Sequence, residues 1–189
     1  GETLAMSKRV LVPLAAGFEE MEAVIIVDVL RRSGVEVLLA GLDGPGPVPG
    51  SRGITVSAEV DLGAVMAEEF DAVVLPGGLG GTHAMRDDER VLEVVRRGFG
   101  AGRLTAAVCA APLVLARAGL VSGRTVTSHP SVQAELAEGG AQVTARRVVR
   151  DGVLLTSQGP GTAMEFALAV AADLVGEEVA DGVRAAMCC

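Results

Sequence analysis

Short, nearly uninterrupted apolar runs alternate along the chain with longer stretches whose apolar positions recur every three or four residues, and turn-forming residues separate the two kinds. Residues 10–14 (Val-Leu-Val-Pro-Leu) predict a strand, and 20–32 a helix closed by Ser33-Gly34. Residues 35–40 predict the next strand. Residues 41–53, with five Gly and three Pro, predict a surface connection or a short irregular excursion, too short to link two domains. A strand at 71–75 runs into Pro76-Gly77-Gly78; a helix at 90–97 and a strand at 104–108 follow. Residues 110–118 have helix composition with Pro112 in the first turn, and 119–123 turn the chain. A short strand at 125–128, a short helix at 132–137, a hairpin over 148–156 around Asp151-Gly152, and a last helix at 162–175 complete the pattern.

Strands that read as continuous apolar runs are buried on both faces, which implies a parallel sheet. Alternating βα units with right-handed crossovers then give an α/β three-layer sandwich, a single domain with helices on both faces of a mainly parallel central sheet. Residues 1–5 read as a cloning remnant ahead of Met6-Ser7-Lys8, leaving 6–189 as that domain.

Charge and composition remove whole classes of function. Acidic residues outnumber basic ones by 24 to 16, a formal charge of -8, so no electrostatic grip on nucleic acid or anionic lipid is expected. Four Phe (18, 70, 99 and 166) with no Trp or Tyr leave little on which to stack a base. The longest uncharged apolar-rich run, 104–116, is broken by Pro112 and falls short of the roughly 20 residues of a spanning helix, so a soluble protein is expected. Cys109, Cys188 and Cys189 form no spaced disulfide framework, which fits a reducing, cytoplasmic setting.

In a parallel sheet, reactive groups collect where loops leave the carboxyl ends of the strands. Four loops here share that address: 15–22, 76–81, 109–112 and Ser128-His129-Pro130. Cys109 ends a strand and is followed by Ala110-Ala111-Pro112 and a helix. At such an elbow the free N–H groups of the following turn favour a thiolate; the alternative is a buried cysteine acting as a small hydrophobe. His129 is the better placed of two histidines to serve as proton acceptor, or else a turn residue before Pro130; His83, in a Gly-rich loop, reads as surface or supporting. Glu19, Glu20 and Glu22 suit the positive end of the first helix, and one of them is free to lean over the sheet edge toward Cys109, where burial raises a carboxyl pKa. Which one stays open. Gly77 and Gly78 let backbone approach a ligand, and an N–H there with that of Ala110 would form an oxyanion site. No dinucleotide or P-loop motif is present, so no phosphate cofactor and no metal are expected. Asp87-Asp88-Glu89 reads as a solvated helix start, and Cys188-Cys189 as a tail lacking a prenylation signature.

The segments Gly17-Phe18-Glu19-Glu20-Met21-Glu22, Val73-Val74-Leu75-Pro76-Gly77-Gly78, Ala106-Ala107-Val108-Cys109-Ala110-Ala111-Pro112, Ser128-His129-Pro130 and Ser157-Gln158-Gly159-Pro160-Gly161-Thr162 together resemble the ThiJ/PfpI superfamily, in order, from about residue 7 to 179. The resemblance implies a flavodoxin-like homodimer with Cys109 as nucleophile and redox-sensitive thiol, Glu22 as its protonated partner and His129 close by. It further implies an anion-holding backbone at Gly78 and Ala110, Gly77 and Pro160 at the substrate site, and Arg32 and Arg52 bordering the pocket near the dimer interface. The activity implied is cofactor-free conversion of methylglyoxal or glyoxal to a hydroxy acid, extended to early glycation adducts; the same resemblance implies an oxidative-stress sensor and chaperone, with mitochondrial or nuclear pools besides the cytoplasm. Some positions depart from the superfamily's pattern: Gln158 stands for an expected arginine, Leu79 for an asparagine of some relatives, and Gly50 and Ser57 for secondary cysteines. The peptidases and hydrolases of the superfamily carry His after the nucleophile, where this chain has Ala110, so a peptidase or amidotransferase-like reading loses ground.

Overall fold

The computed structural model describes residues 7–189. The proposed remnant at 1–5 lies outside the described residues. In chain order the elements are β1 (Arg9–Leu14), α1 (Glu20–Arg32), β2 (Glu36–Gly41), β3 (Gly46–Pro49), β4 (Thr55–Ala58), β5 (Val60–Asp61), β6 (Ala72–Leu75), α2 (Leu79–Arg86), α3 (Glu89–Gly100) and β7 (Leu104–Val108). Then come α4 (Pro112–Arg117), β8 (Thr125–Val126), α5 (Gln133–Glu138), β9 (Gln142–Val143), β10 (Val148–Asp151), β11 (Leu154–Ser157), α6 (Ala163–Val175) and α7 (Glu177–Ala186).

Seven strands form the central sheet in the order β10-β11-β7-β6-β1-β2-β5, parallel except for the antiparallel edge strand β10. Period-2 geometry sends alternate side chains to opposite faces. Leu11, Val73, Leu75 and Ala107 therefore join the core beneath α3, α4 and α5, while Val10, Val12, Ala72, Val74, Ala106 and Val108 join the one beneath α1 and α6. Both faces are covered, so the strands need no polar side, which is why they read as unbroken apolar runs. Among the described residues no helix is long and apolar enough to cross a membrane.

Three expectations are corrected. Residues 41–53 are not only a connection: β3 within them pairs antiparallel with β4, Val48 facing Val56 while Pro47 and Pro49 turn outward, and proline's missing N–H hides such a strand. The Gly-rich stretch after Gly78 is helix α2, which places His83 exposed on a helix rather than in a loop. Helix propensity speaks against Gly80 and Gly81, but a Cβ on Gly81 would lie 2.9 Å from the Phe18 nitrogen, so close backbone packing needs the glycine. Finally, α6 is not the last helix, since α7 follows it across Gly176 at φ 94°.

Asp88 caps α3 by accepting from the Arg90 N–H, as its acidic start suggested. Phe166 on α6 is fully buried in the same cluster as Val108 and Cys109. Phe166→Ala is expected to lower unfolding free energy by about 3–5 kcal/mol, seen as a lower urea midpoint at unchanged slope; a loss under about 1 kcal/mol would show that this layer is not tightly packed.

Candidate active site

The ends of β1, β6, β7 and β11 at the carboxyl edge of the central sheet meet one hairpin and the end of β8 around an open cavity of about 460 Å³. β8 pairs with β9 outside that sheet, so the His129 loop reaches the site from beside the sheet and not from one of its own strands. The cavity lining comes from each loop the sequence singled out: Gly17, Glu19 and Met21 after β1; Gly78, Leu79 and Gly80 after β6; Cys109 and Ala110 after β7; His129 and Ser131 after β8. Pro160 lines it as well. The β3–β4 hairpin adds Ser51 and Arg52, of which only Arg52 was anticipated; the signal for Ser51 lay in a strand pair that proline concealed.

Cys109 sits at the elbow between β7 and α4 with φ 65°, a left-handed conformation that a residue with a Cβ adopts only where surroundings enforce it. The enforcement is visible in its own peptide groups. The Cys109 N–H donates to the Ser157 carbonyl at 3.0 Å, and its carbonyl accepts from the His129 N–H at 2.8 Å. The residue is 9% exposed, and its sulfur is served by the backbone N–H groups of Gly78 and Ala110.

The choice among the three glutamates is geometric. Glu19 is the N-cap of α1, its Oε2 accepting from the Glu22 N–H at 2.9 Å. Glu20 turns to the β3–β4 hairpin. Glu22 is fully buried beside the Cys109 thiol, with Oε1 accepting from the Gly77 N–H at 2.8 Å. Its Oε2 is buried without a hydrogen-bond partner, and the Cys109 thiol is the side chain that hydrogen-bonds the carboxyl group. Gly77 and Gly78 make this approach possible: a Cβ on Gly77 would lie 2.6 Å from both the Cys109 Cβ and Glu22 Oε1, and one on Gly78, at φ 89°, 2.4 Å from the Gly17 carbonyl oxygen.

Burial pushes the Glu22 carboxyl up to about 7, against the hydrogen bonds from Gly77 and Cys109 that pull it down. Burial first, and the neighbouring carboxylate second, push the Cys109 thiol up to about 12, with the Gly78 and Ala110 N–H groups acting in the opposite direction. The expectation that the elbow alone favours a thiolate is thus corrected: two N–H groups do not outweigh burial beside a carboxylate. Once Glu22 carries the proton its charge no longer opposes the sulfur anion, and its hydroxyl becomes a donor to it. The pair is therefore built to hold one negative charge, not two.

His129 is half-buried at the cavity wall, with Nδ1 accepting from the Ser131 N–H at 3.2 Å and 2.7 Å from the Ser131 hydroxyl. In the neutral ring that bond from the peptide N–H leaves the hydrogen on Nε2. Arg32 is not brought to the cavity by its own chain; it lies in the last turn of α1, paired with Asp28. Gln158, at the position of the expected arginine, reaches the Ala145 carbonyl instead.

Glu22 also ties stability to pH. Its carboxyl is raised from an ordinary 4.5 to about 7, so the folded state binds the proton more tightly than the unfolded chain does. That contribution is complete below pH 4.5 and lost as pH rises through 7. Between those values the wild type is expected to lose about 3 kcal/mol that Glu22→Gln, which does not titrate, keeps. Urea unfolding of both proteins at pH 5 and pH 7.5 measures this, and parallel pH curves would refute it.

The model of the DJ-1/PfpI family matches residues 8–173. Protein dj-1beta of Drosophila melanogaster is 49% identical over 173 residues, spanning 92% of each chain. The glutathione-independent glyoxalase DJR-1.2 of Caenorhabditis elegans is 35% identical over 90% of each. Among solved structures, that of Drosophila melanogaster DJ-1beta superposes with a TM-score of 0.94 at 46% identity, covering 96% of this chain and 98% of that one. Oxidized Toxoplasma gondii DJ-1 superposes with a TM-score of 0.90 at 35% identity, covering 96% and 98%. By sequence over most of its length and by fold, this chain belongs to the DJ-1/PfpI family.

Proposed function

We propose that the chain is a cysteine-dependent, cofactor-free glyoxalase or deglycase acting on methylglyoxal, glyoxal and early glycation adducts. The observation that carries the reading is the Cys109–Glu22 pair, one thiol and one carboxyl buried together and opening on a cavity wide enough for a three-carbon dicarbonyl. That the Caenorhabditis elegans relative is named a glutathione-independent glyoxalase supports it.

The steps follow from where protons sit. Glu22 takes the Cys109 proton, and the thiolate adds to the aldehyde carbon to form a hemithioacetal. The N–H groups of Gly78 and Ala110 are the donors beside the new oxyanion. Glu22 or His129 removes the proton on that carbon and returns one to the neighbouring carbon, so the aldehyde carbon is oxidised and the ketone carbon reduced without an outside electron carrier. Water then hydrolyses the resulting thioester, releasing the hydroxy acid and restoring the thiol. A reduced Cys109 is needed throughout, which fits a cytoplasmic setting, and Cys109 is free of disulfide.

A second reading, redox sensing through the same thiol, is favoured by one observation: the buried Glu22 Oε2 has no donor of its own, so a protonated Glu22 is free to donate to an oxygen placed on the sulfur. A second copy of the chain is the occupant we propose for the apolar groove of about 480 Å³ along α1, lined by Ala23, Val24, Val27, Leu39 and Val56 and flanked by Arg31 and Arg32.

Lactate formation from methylglyoxal is expected to disappear in Cys109→Ser and to fall by about 10²-fold or more in Glu22→Gln. Turnover that survives in Cys109→Ser would remove the enzymatic reading. Consumption by the wild type no faster than by a free thiol, with Cys109 converted to sulfinate at low peroxide, would favour the sensor instead.

A further inference from the structure

Glu20 is a carboxylate that the reaction above does not use, yet it is 5% exposed. Its surroundings account for the burial. Oε1 accepts from the Ser51 hydroxyl at 3.0 Å, and Oε2 accepts from the Arg52 N–H at 2.7 Å and the Ile54 N–H at 3.1 Å. Burial alone would raise this carboxyl, but hydrogen bonds from Ile54, its own backbone, Arg52 and Ser51 prevail and hold it below the usual range. All three partners belong to the loop at the tip of the β3–β4 hairpin, 31 to 34 residues further along the chain.

The loop has accommodated this side chain. A Cβ on Gly50 would fall 2.4 Å from the Glu20 carboxyl carbon and 2.5 Å from its Cγ, so Glu20 fills the space a side chain at 50 would take. Two main-chain bonds, Gly17 N–H to the Pro49 carbonyl at 2.9 Å and Ser51 N–H to the Phe18 carbonyl at 2.8 Å, tie the loop to the one after β1. What the clasp presents is Arg52, the arginine lining the cavity onto which Cys109 opens. Glu19 lines the same cavity, with one carboxylate oxygen engaged by the Glu22 N–H.

We propose that Glu20 is a positioning residue that clasps the Gly50–Ile54 loop, holds Arg52 at the cavity rim and so makes Cys109 selective for electrophiles that carry a negative charge. It concerns the cavity assigned above to dicarbonyl chemistry and deepens that reading. Its test needs no turnover, so the two fail separately.

The probe is alkylation of Cys109 by iodoacetate and by iodoacetamide, which share a leaving group and differ in charge, followed by mass analysis of the Cys109 peptide. The ratio of the two rates cancels changes in the thiol itself. Glu20→Ala and Arg52→Ala are each expected to lower the ratio by about three- to fivefold, the size of one exposed ion pair. In the double variant the ratio falls no further than in Arg52→Ala. Glu20→Gln, whose amide can still accept from both N–H groups and donate to Ser51, retains most of it, and provides the comparison if Glu20→Ala does not fold. The sign discriminates: removing a carboxylate without moving Arg52 would raise the iodoacetate rate, because an anion near the cavity is gone. A ratio that is raised or unchanged in Glu20→Ala, a ratio raised in Glu20→Gln, or additive losses in the double variant would each overturn the proposal.

Discussion

A carboxyl and a thiol are buried side by side with hydrogen-bond donors enough for a single negative charge. Glu22 receives one backbone N–H, from Gly77, and the sulfur of Cys109 is served by two, from Gly78 and Ala110. Desolvation raises both groups, and the Glu22 charge raises the thiol further, while the hydrogen bond from Cys109 pulls the carboxyl down. Such a pair favours sharing one proton between two atoms over releasing it to water, and under the proposed function carbonyl addition and oxidation of the sulfur would be alternative fates of one anion.

The rest of the fold supplies the closeness this requires. Parallel strands covered on both faces end at one edge, and the loops leaving them are stacked backbone on backbone. Three glycines make the stacking possible: Gly77 between Glu22 and Cys109, Gly78 against the chain from Gly17 to Glu19, and Gly81 against Phe18. Each is a place where a methyl group would push two loops apart, so the packing of these glycines sets the distance between thiol and acid.

Much of this was legible in the chain because burial on two faces leaves a plain trace in sequence. The strands at 71–75 and 104–108 and the helix at 20–32 coincide closely with β6, β7 and α1, and the four loops do meet, the His129 loop coming from beside the central sheet. What remained hidden was hidden for definite reasons. Periodicity gives no orientation within a helix's first turn, so the residues alone left Glu19, Glu20 and Glu22 equivalent, and only the resemblance singled out Glu22. Proline masked β3, glycine masked α2, and with β3 went the hairpin that brings Ser51 and Arg52 to the cavity. The electrostatic balance at Cys109 was illegible for another reason: helix position is a sequence property, whereas desolvation depends on everything packed around the sulfur.

The left-handed backbone at Cys109 has one more consequence. A side chain at φ 65° costs about 1–2 kcal/mol relative to glycine, and the cost is incurred by the Cβ, whatever atom follows it. Glycine at this elbow would abolish the strain along with the sulfur, and with it the packing of a side chain buried in the core cluster. The cysteine that stands there therefore carries the strain at the cavity wall, where glycine would relieve it only by removing the sulfur.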